Sequence, residues 1–169
     1  MYDIKALYEA ESTEHAVRLL QEHPEAQILA GGSDVLVQIR EGRRAGKEFV
    51  SIYMLDELRG VSIDEEENLR IGSLTSFTHI TKDPLIQKYI NVLGEAVDMV
   101  GGPQIRAIGT IGGNTCNGVT SADSASTLMA WDAVMELTGL PQRLPRSCVY
   151  VRPTLFRVRA VHGERRFQI

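Results

Sequence analysis

Two glycine-rich stretches hold the residues in this sequence best suited to chemistry. The first is Gln27-Ile28-Leu29-Ala30-Gly31-Gly32-Ser33-Asp34. The second is Gly109-Thr110-Ile111-Gly112-Gly113-Asn114, followed by Asn117, Ser121 and Asp123. Glycine lets the main chain adopt positive φ and lets a ligand approach it closely. Successive N–H groups at such a bend, beside a helix start, form a concavity suited to an anion. Thr110 and Asn114 add short hydrogen-bonding side chains. Neither stretch contains Lys or Arg, so neutralising a bound diphosphate falls to amide dipoles alone. That fits a dinucleotide buried between two loops. Gly-Gly between a strand and a helix is also simply a turn, and for that dipeptide alone a turn is the more economical reading.

Other chemistries lack their residues. No G-x-x-x-x-G-K-S/T is present, which excludes a P-loop, and no G-x-G-x-x-G follows a strand with an acid about 20 residues on. Ser121, Asp123 and a distant histidine would need a G-x-S-x-G elbow to form a hydrolase triad, and there is none. The two cysteines, Cys116 and Cys148, cannot make a four-cysteine iron–sulfur or zinc site. His15, His23, His79 and His162 are scattered without an i, i+4 pair. No metal site and no catalytic acid–base dyad is expected, so any redox chemistry needs an organic cofactor or a partner.

The elements that must position these stretches can be read from periodicity and caps. Ile4 to Tyr8 reads as a strand. Ser12 caps a helix with Ala16, Val17, Leu19 and Leu20 on one face and Glu14 in its first turn. A strand at Gln27–Ala30 leads into the first glycine turn, and Asp34–Arg40 reads as a short helix. Phe49–Ile52 is a strand, and Met54–Leu58 is at most one helical turn. Val61 and Ile63, then Leu69 and Ile71, alternate around an acidic Asp64–Asn68 turn, which predicts a hairpin. Asp83-Pro84 opens a helix. Its apolar positions Ile86, Ile90, Leu93, Val97 and Val100 predict one amphipathic element ending at Gly101-Gly102-Pro103. The second glycine stretch then reads as an open loop, and apolar structure resumes at Leu128–Trp131 and Val134–Leu137.

Taken together, A-G-G-S-D-V-L at residues 30–36, T-I-G-G-N at 110–114 and S-A-D at 121–123 resemble the flavin subunits of molybdenum hydroxylases. These include the FAD-binding subunits of xanthine dehydrogenase and carbon monoxide dehydrogenase; the bacterial xanthine dehydrogenase subunits are nearest. The resemblance runs from near residue 1 to about Gly139 and takes in Leu58-Arg59-Gly60, Leu69-Arg70-Ile71-Gly72 and Gly102-Pro103-Gln104-Ile105-Arg106. It implies an α+β, two-subdomain FAD-binding domain of the vanillyl-alcohol oxidase / p-cresol methylhydroxylase type, with subdomains at about 1–58 and 59–139. It implies that Gln27 through Asp34 wrap the FAD diphosphate from one side. Gly109 through Asn114 would hold the diphosphate and ribityl chain from the other, with Thr110 donating a hydroxyl. Asp123 matches an acid near the ribityl and ring end, and Val100 an apolar or aromatic position near the cofactor. Asn117, Ser121 and Arg106 are weaker candidates.

The resemblance also implies a function. Non-covalently held FAD would take electrons from a partner subunit carrying two [2Fe-2S] clusters, downstream of a molybdopterin-binding subunit that hydroxylates a substrate. The electrons would pass to NAD⁺ or another acceptor. Cys116, inside the second stretch, keeps covalent attachment open. By nearness of resemblance the process would be purine metabolism. The alternatives are a stand-alone flavin oxidoreductase of the same fold, or a non-catalytic truncated remnant or assembly module.

Composition agrees with a cytoplasmic protein. The chain is 43% hydrophobic and 24% charged, and no apolar run approaches the roughly 20 residues that span a bilayer. The N-terminal residues carry no secretory pattern. Neither membrane nor nucleic acid is expected as a partner. Charge is uneven, however: residues 1–138 carry a net −10 and residues 139–169 a net +6, from seven Arg, no Lys and Glu164. This basic end has three prolines, no helical or strand periodicity and no likeness to the family. The expectation is a reading-frame shift or a degraded gene end there, with the family's C-terminal domain absent.

Overall fold

The structure, a computed structural model, describes residues 2–119, 121–139 and 153–159, the last as a main-chain strand. Its first half is built on parallel strands joined by helices. β1 (Ile4–Glu9), α1 (Thr13–Glu22), β2 (Gln27–Leu29), α2 (Val35–Arg40) and β3 (Lys47–Ser51) give a three-stranded sheet in the order β1-β3-β2, with β3 parallel to both neighbours. Consecutive side chains on a strand face opposite ways. Phe49 and Val50 are both fully buried, so the central strand is covered on both faces, as parallel strands usually are. Ser12 caps α1 by accepting from the amide of His15 at 3.1 Å. A 3₁₀ turn at Asp56–Leu58 ends this half.

The second half is antiparallel. β4 (Val61–Ile63) and β5 (Asn68–Gly72) form the expected hairpin. The Asp64 carboxylate closes it by accepting from the amides of Glu66 and Asn68. Five helices follow: α3 (Phe77–Lys82), α4 (Pro84–Tyr89), α5 (Asn91–Asp98), α6 (Pro103–Ile108) and α7 (Ile111–Asn117). After them come α8 (Asp123–Ala130), β6 (Val134–Leu137) and β7 (Pro153–Arg159). The sheet order is β4-β5-β7-β6. Ile80, Ile86, Ile90, Leu93, Val97 and Ile111, each at most 1% exposed, form its core with Leu69, Ile71 and Phe77. The folded domain is therefore α+β.

Four sequence expectations change. The helix predicted from Pro84 to Val100 is two helices, broken at Ile90 (φ −148°, ψ 52°). The apolar spacing survives the break because Ile86, Ile90, Leu93 and Val97 all still face one core. α3 and α6 had no distinct signal in the sequence. The second glycine stretch is not an open loop, since its residues from Ile111 onward are the first turn of α7. Finally, residues 153–159 form a strand although no strand periodicity precedes it. β7 pairs with β5 on one side and β6 on the other, so non-local pairing overrides the absent local pattern.

Candidate functional site

The two glycine stretches meet. An added Cβ on Gly31 would overlap the main-chain carbonyl of Ile108, so only glycine allows the β2–α2 turn to touch the end of α6. Gly32 has φ +76°, a left-handed conformation that favours glycine. Across from this turn, Gly112 lies against Ser73, where an added Cβ would stand 2.7 Å from the Ser73 carbonyl oxygen. The contact is stitched by the amides of Gly112 and Ile111, which donate to Ser73 O (2.9 Å) and Thr75 O (3.1 Å). Thr75 in turn clasps Gly60, accepting from its amide at 2.9 Å and donating to its carbonyl at 3.1 Å.

Between the stretches lies a cavity of about 260 Å³. One wall is Ile28, Ala30, Gly31, Gly32, Ser33 and Asp34, and the opposite wall is Gly109, Thr110, Gly112, Gly113 and Asn114. Val100 and Ile105 close one side, and Ser73, Leu74 and Phe77 form part of the lining. The cavity falls just below the roughly 300–1,000 Å³ of most small-molecule pockets. It can enclose the middle of a dinucleotide, with the ring systems extending beyond it.

The walls offer different groups. The amides of Gly31, Gly32, Ser33 and Asp34 donate no hydrogen bond among the described residues. On the other wall most amides are committed. Gly109 donates to Ile105 O at 2.7 Å, Gly113 to Thr110 Oγ1 at 3.1 Å and Asn114 to Thr110 O at 2.9 Å. With Ile111 and Gly112 already bonded, Thr110 keeps the one uncommitted amide from 109 to 114 among the described residues. Thr110 is 4% exposed and its hydroxyl oxygen caps α7. Its own proton remains available to a ligand, since a hydroxyl can accept and donate together. Asn114 is oriented by Ser124, whose hydroxyl donates to Asn114 Oδ1 at 2.6 Å.

Of the residues singled out from sequence, four stand off the cavity wall. Gln27 sits behind it, accepting from Arg44. Leu29 underlies the turn, within reach of where a Gly32 Cβ would be. Ile111 is fully buried in the core. Asp123 is exposed in the first turn of α8, where a carboxylate suits the helix dipole. Among the weaker candidates, Asn117 lines the cavity with Cys116, whereas Ser121 does not. Arg106 is structural: it pairs with Asp98 at 3.2 Å and donates to the carbonyls of Val100 and Gly101.

A cation that the motifs did not contain also lines the cavity. Arg44, from the turn between α2 and β3, reaches it because that turn brings the chain back beside β2. The cavity wall therefore carries a cationic side chain beside the main-chain amides. Ser73, Leu74 and Phe77 were also missed. Ser76 caps α3 by accepting from the amide of His79, but a lone serine does not by itself mark a helix start in the sequence.

A cavity between a parallel βαβ turn and a glycine-rich helix start, at the junction of two sheets, defines a nucleotide-cofactor domain of mixed α+β class. Residues 2–145 match the family described as the FAD binding domain in molybdopterin dehydrogenase, and the chain belongs to that family. It is 42% identical over 137 residues to the xanthine dehydrogenase FAD-binding subunit of Escherichia coli O157:H7, covering 81% of this chain and 47% of the relative. It is 33% identical over 129 residues to the nicotinate dehydrogenase FAD-subunit of Eubacterium barkeri, covering 75% and 43%. The chain thus spans about half the length of these relatives. In fold it resembles carbon monoxide dehydrogenase from Hydrogenophaga pseudoflava, with a TM-score of 0.85 at 24% identity over 96% of this chain and 61% of that one. No helix among the described residues is long and apolar enough to cross a membrane.

Proposed function

We propose that this chain holds FAD non-covalently in the cavity between its two glycine segments, as the electron-transfer flavin component of a xanthine dehydrogenase-like molybdenum hydroxylase. The observation that carries the reading is the first turn. Its four main-chain N–H groups, Gly31 to Asp34, lack protein acceptors on a wall where glycine is sterically required. Successive main-chain donors without protein acceptors at a bend before a helix form a concavity suited to an anion, so such a set suits the oxygens of a diphosphate. The second segment gives the opposite wall. Thr110 offers an amide and a hydroxyl proton toward the ribityl chain, while Val100, Ile105 and Phe77 supply apolar surface that excludes water.

When bound, FAD would supply the redox chemistry, and the chain's residues supply binding, orientation and shielding. Molybdopterin and [2Fe-2S] clusters would reside on partner subunits, in keeping with only two cysteines here. NAD⁺ is the proposed acceptor and the cytoplasm the proposed location. The relatives' names support the assignment to this enzyme class, and the domain boundaries at 58 and 139 are proposed with it.

The test is a visible absorption titration of the purified, folded chain with FAD. Uptake of one equivalent, with the flavin released by acid, is expected. A folded protein that takes up no FAD would overturn the reading.

A further inference from the structure

Arg44 is held in an unusual way. Its Nε donates to Gln38 Oε1 at 2.5 Å and its Nη1 to Gln27 Oε1 at 2.6 Å. Its amide donates to the Gln38 carbonyl at 3.3 Å. Arg43, Arg59, Arg70 and Arg106 each pair with a carboxylate, whereas Arg18 and Arg40 have no ion pair among the described residues but do not line the cavity. Arg44, among the described residues, has no carboxylate within ion-pair distance and meets only neutral amide oxygens. Two glutamines therefore fix its plane without cancelling its charge. Three of its five N–H donors remain for a ligand.

The clamp has its own support. The Gln38 side-chain amide donates to the Asp34 carboxylate. This sets which end of that amide points where, so its oxygen faces Arg44. Asp34 and Arg44 both line the cavity, and Gln27 stands behind Arg44. Arg44 and the uncommitted amides of Gly31–Asp34 thus share one cavity.

We propose that Arg44 is the cation that neutralises the diphosphate in this cavity, and that Gln27, Gln38 and Asp34 act as positioning residues for it. The proposal rests on the flavin reading and deepens it. Guanidinium suits the role because its rigid fork matches phosphate oxygens, whereas an ammonium on a flexible stem would use the two amide acceptors less well. A purely structural Arg44, tying the α2–β3 turn to β2, would alter thermal stability without altering how binding responds to charge.

The test uses the full chain with two probes, FAD and inorganic pyrophosphate, by isothermal titration at low and high salt. Arg44→Met is expected to weaken both about 10- to 100-fold, in line with loss of charge-assisted hydrogen bonds. Its binding should also lose most of the salt dependence shown by the unsubstituted chain. Arg44→Lys should recover part of the pyrophosphate affinity, and Gln38→Leu should cost about 3- to 10-fold. If Arg44→Met binds both probes with unchanged affinity and salt response, the Arg44 assignment is wrong and the flavin reading stands. If pyrophosphate binds in an Arg44-dependent way but FAD does not bind, the anion site stands and the flavin reading falls. Binding of neither probe by the unsubstituted chain overturns both.

Discussion

The two glycine segments look alike in sequence and do opposite work with their main-chain hydrogen bonds. Between Gly31 and Asp34 the amides have no protein acceptor among the described residues, whereas from Gly109 to Asn114 all but that of Thr110 are bonded to Ile105, Thr75, Ser73 or Thr110. Glycine at 31 and 32 serves a close approach and a left-handed bend on a cavity wall, with donors that no protein acceptor takes up. Glycine at 112 serves packing of α7 against Ser73. Similar composition thus yields one turn with uncommitted donors and one wall whose donors are mostly spent, because an amide already satisfied within the protein has little left for a ligand.

The largest effect separating them should come from alanine at the paired positions. Gly31→Ala forces a methyl group into the Ile108 carbonyl. It should cost about 3 kcal/mol by urea denaturation and abolish measurable FAD uptake by the folded fraction. Gly112→Ala should cost about 1–3 kcal/mol while the folded fraction keeps FAD affinity within about threefold, since its amide is committed to Ser73. If Gly112→Ala removed binding without loss of stability, the comparison would be reversed.

A smaller effect is expected at the α7 cap. Thr110→Val removes the acceptor for the Gly113 amide and should lower stability by about 1 kcal/mol. Thr110→Ser should restore it. A thermal melt of the three proteins decides whether the hydroxyl is capping α7.

The smallest concerns the sheet that carries the first turn. Glu48 on β3 accepts a hydrogen bond from the Lys5 ammonium on β1, 2.6 Å away, and this holds its carboxyl below the ordinary value near 4.5 despite opposing desolvation. The Lys5 charge and nearby His23 act in the same direction. A group whose folded pKa is depressed contributes stability above its unfolded pKa, and that contribution disappears as pH falls through the folded value. Glu48→Gln should therefore flatten the decline in melting temperature below about pH 4.5. FAD binding at neutral pH should be unchanged. An identical acid limb in both proteins would show the pair to be inert.

How much of this was legible from sequence follows from how local each signal is. Ser12, Asp83-Pro84 and the Asp64–Asn68 turn carry their structure in adjacent residues, and each appears where its cap or turn chemistry places it. The break at Ile90 was hidden because both helices bury the same apolar series, so periodicity could not reveal it. α7 was obscured by glycines that usually weaken helices. Its stability comes instead from the Thr110 cap and the contact with Ser73. β7 depends on pairing with strands more than fifteen residues away in sequence.

The candidate site divides the same way. The glycine turn announced itself through composition, while Arg44 lies ten residues beyond Asp34 and joins the site only through the parallel pairing of β2 with β3. Gln38 looked like an ordinary polar residue of a short helix. Its role emerges from simultaneous contacts with Asp34 and Arg44.

The most direct measurement is an amide ¹⁵N–¹H titration of the folded chain with FAD. Large downfield proton shifts at Gly31, Gly32, Ser33 and Asp34, with those of Ile111, Gly112 and Gly113 nearly still, are the predicted result. Saturable FAD binding that leaves the first four amides unmoved would contradict the division of labour between the two segments.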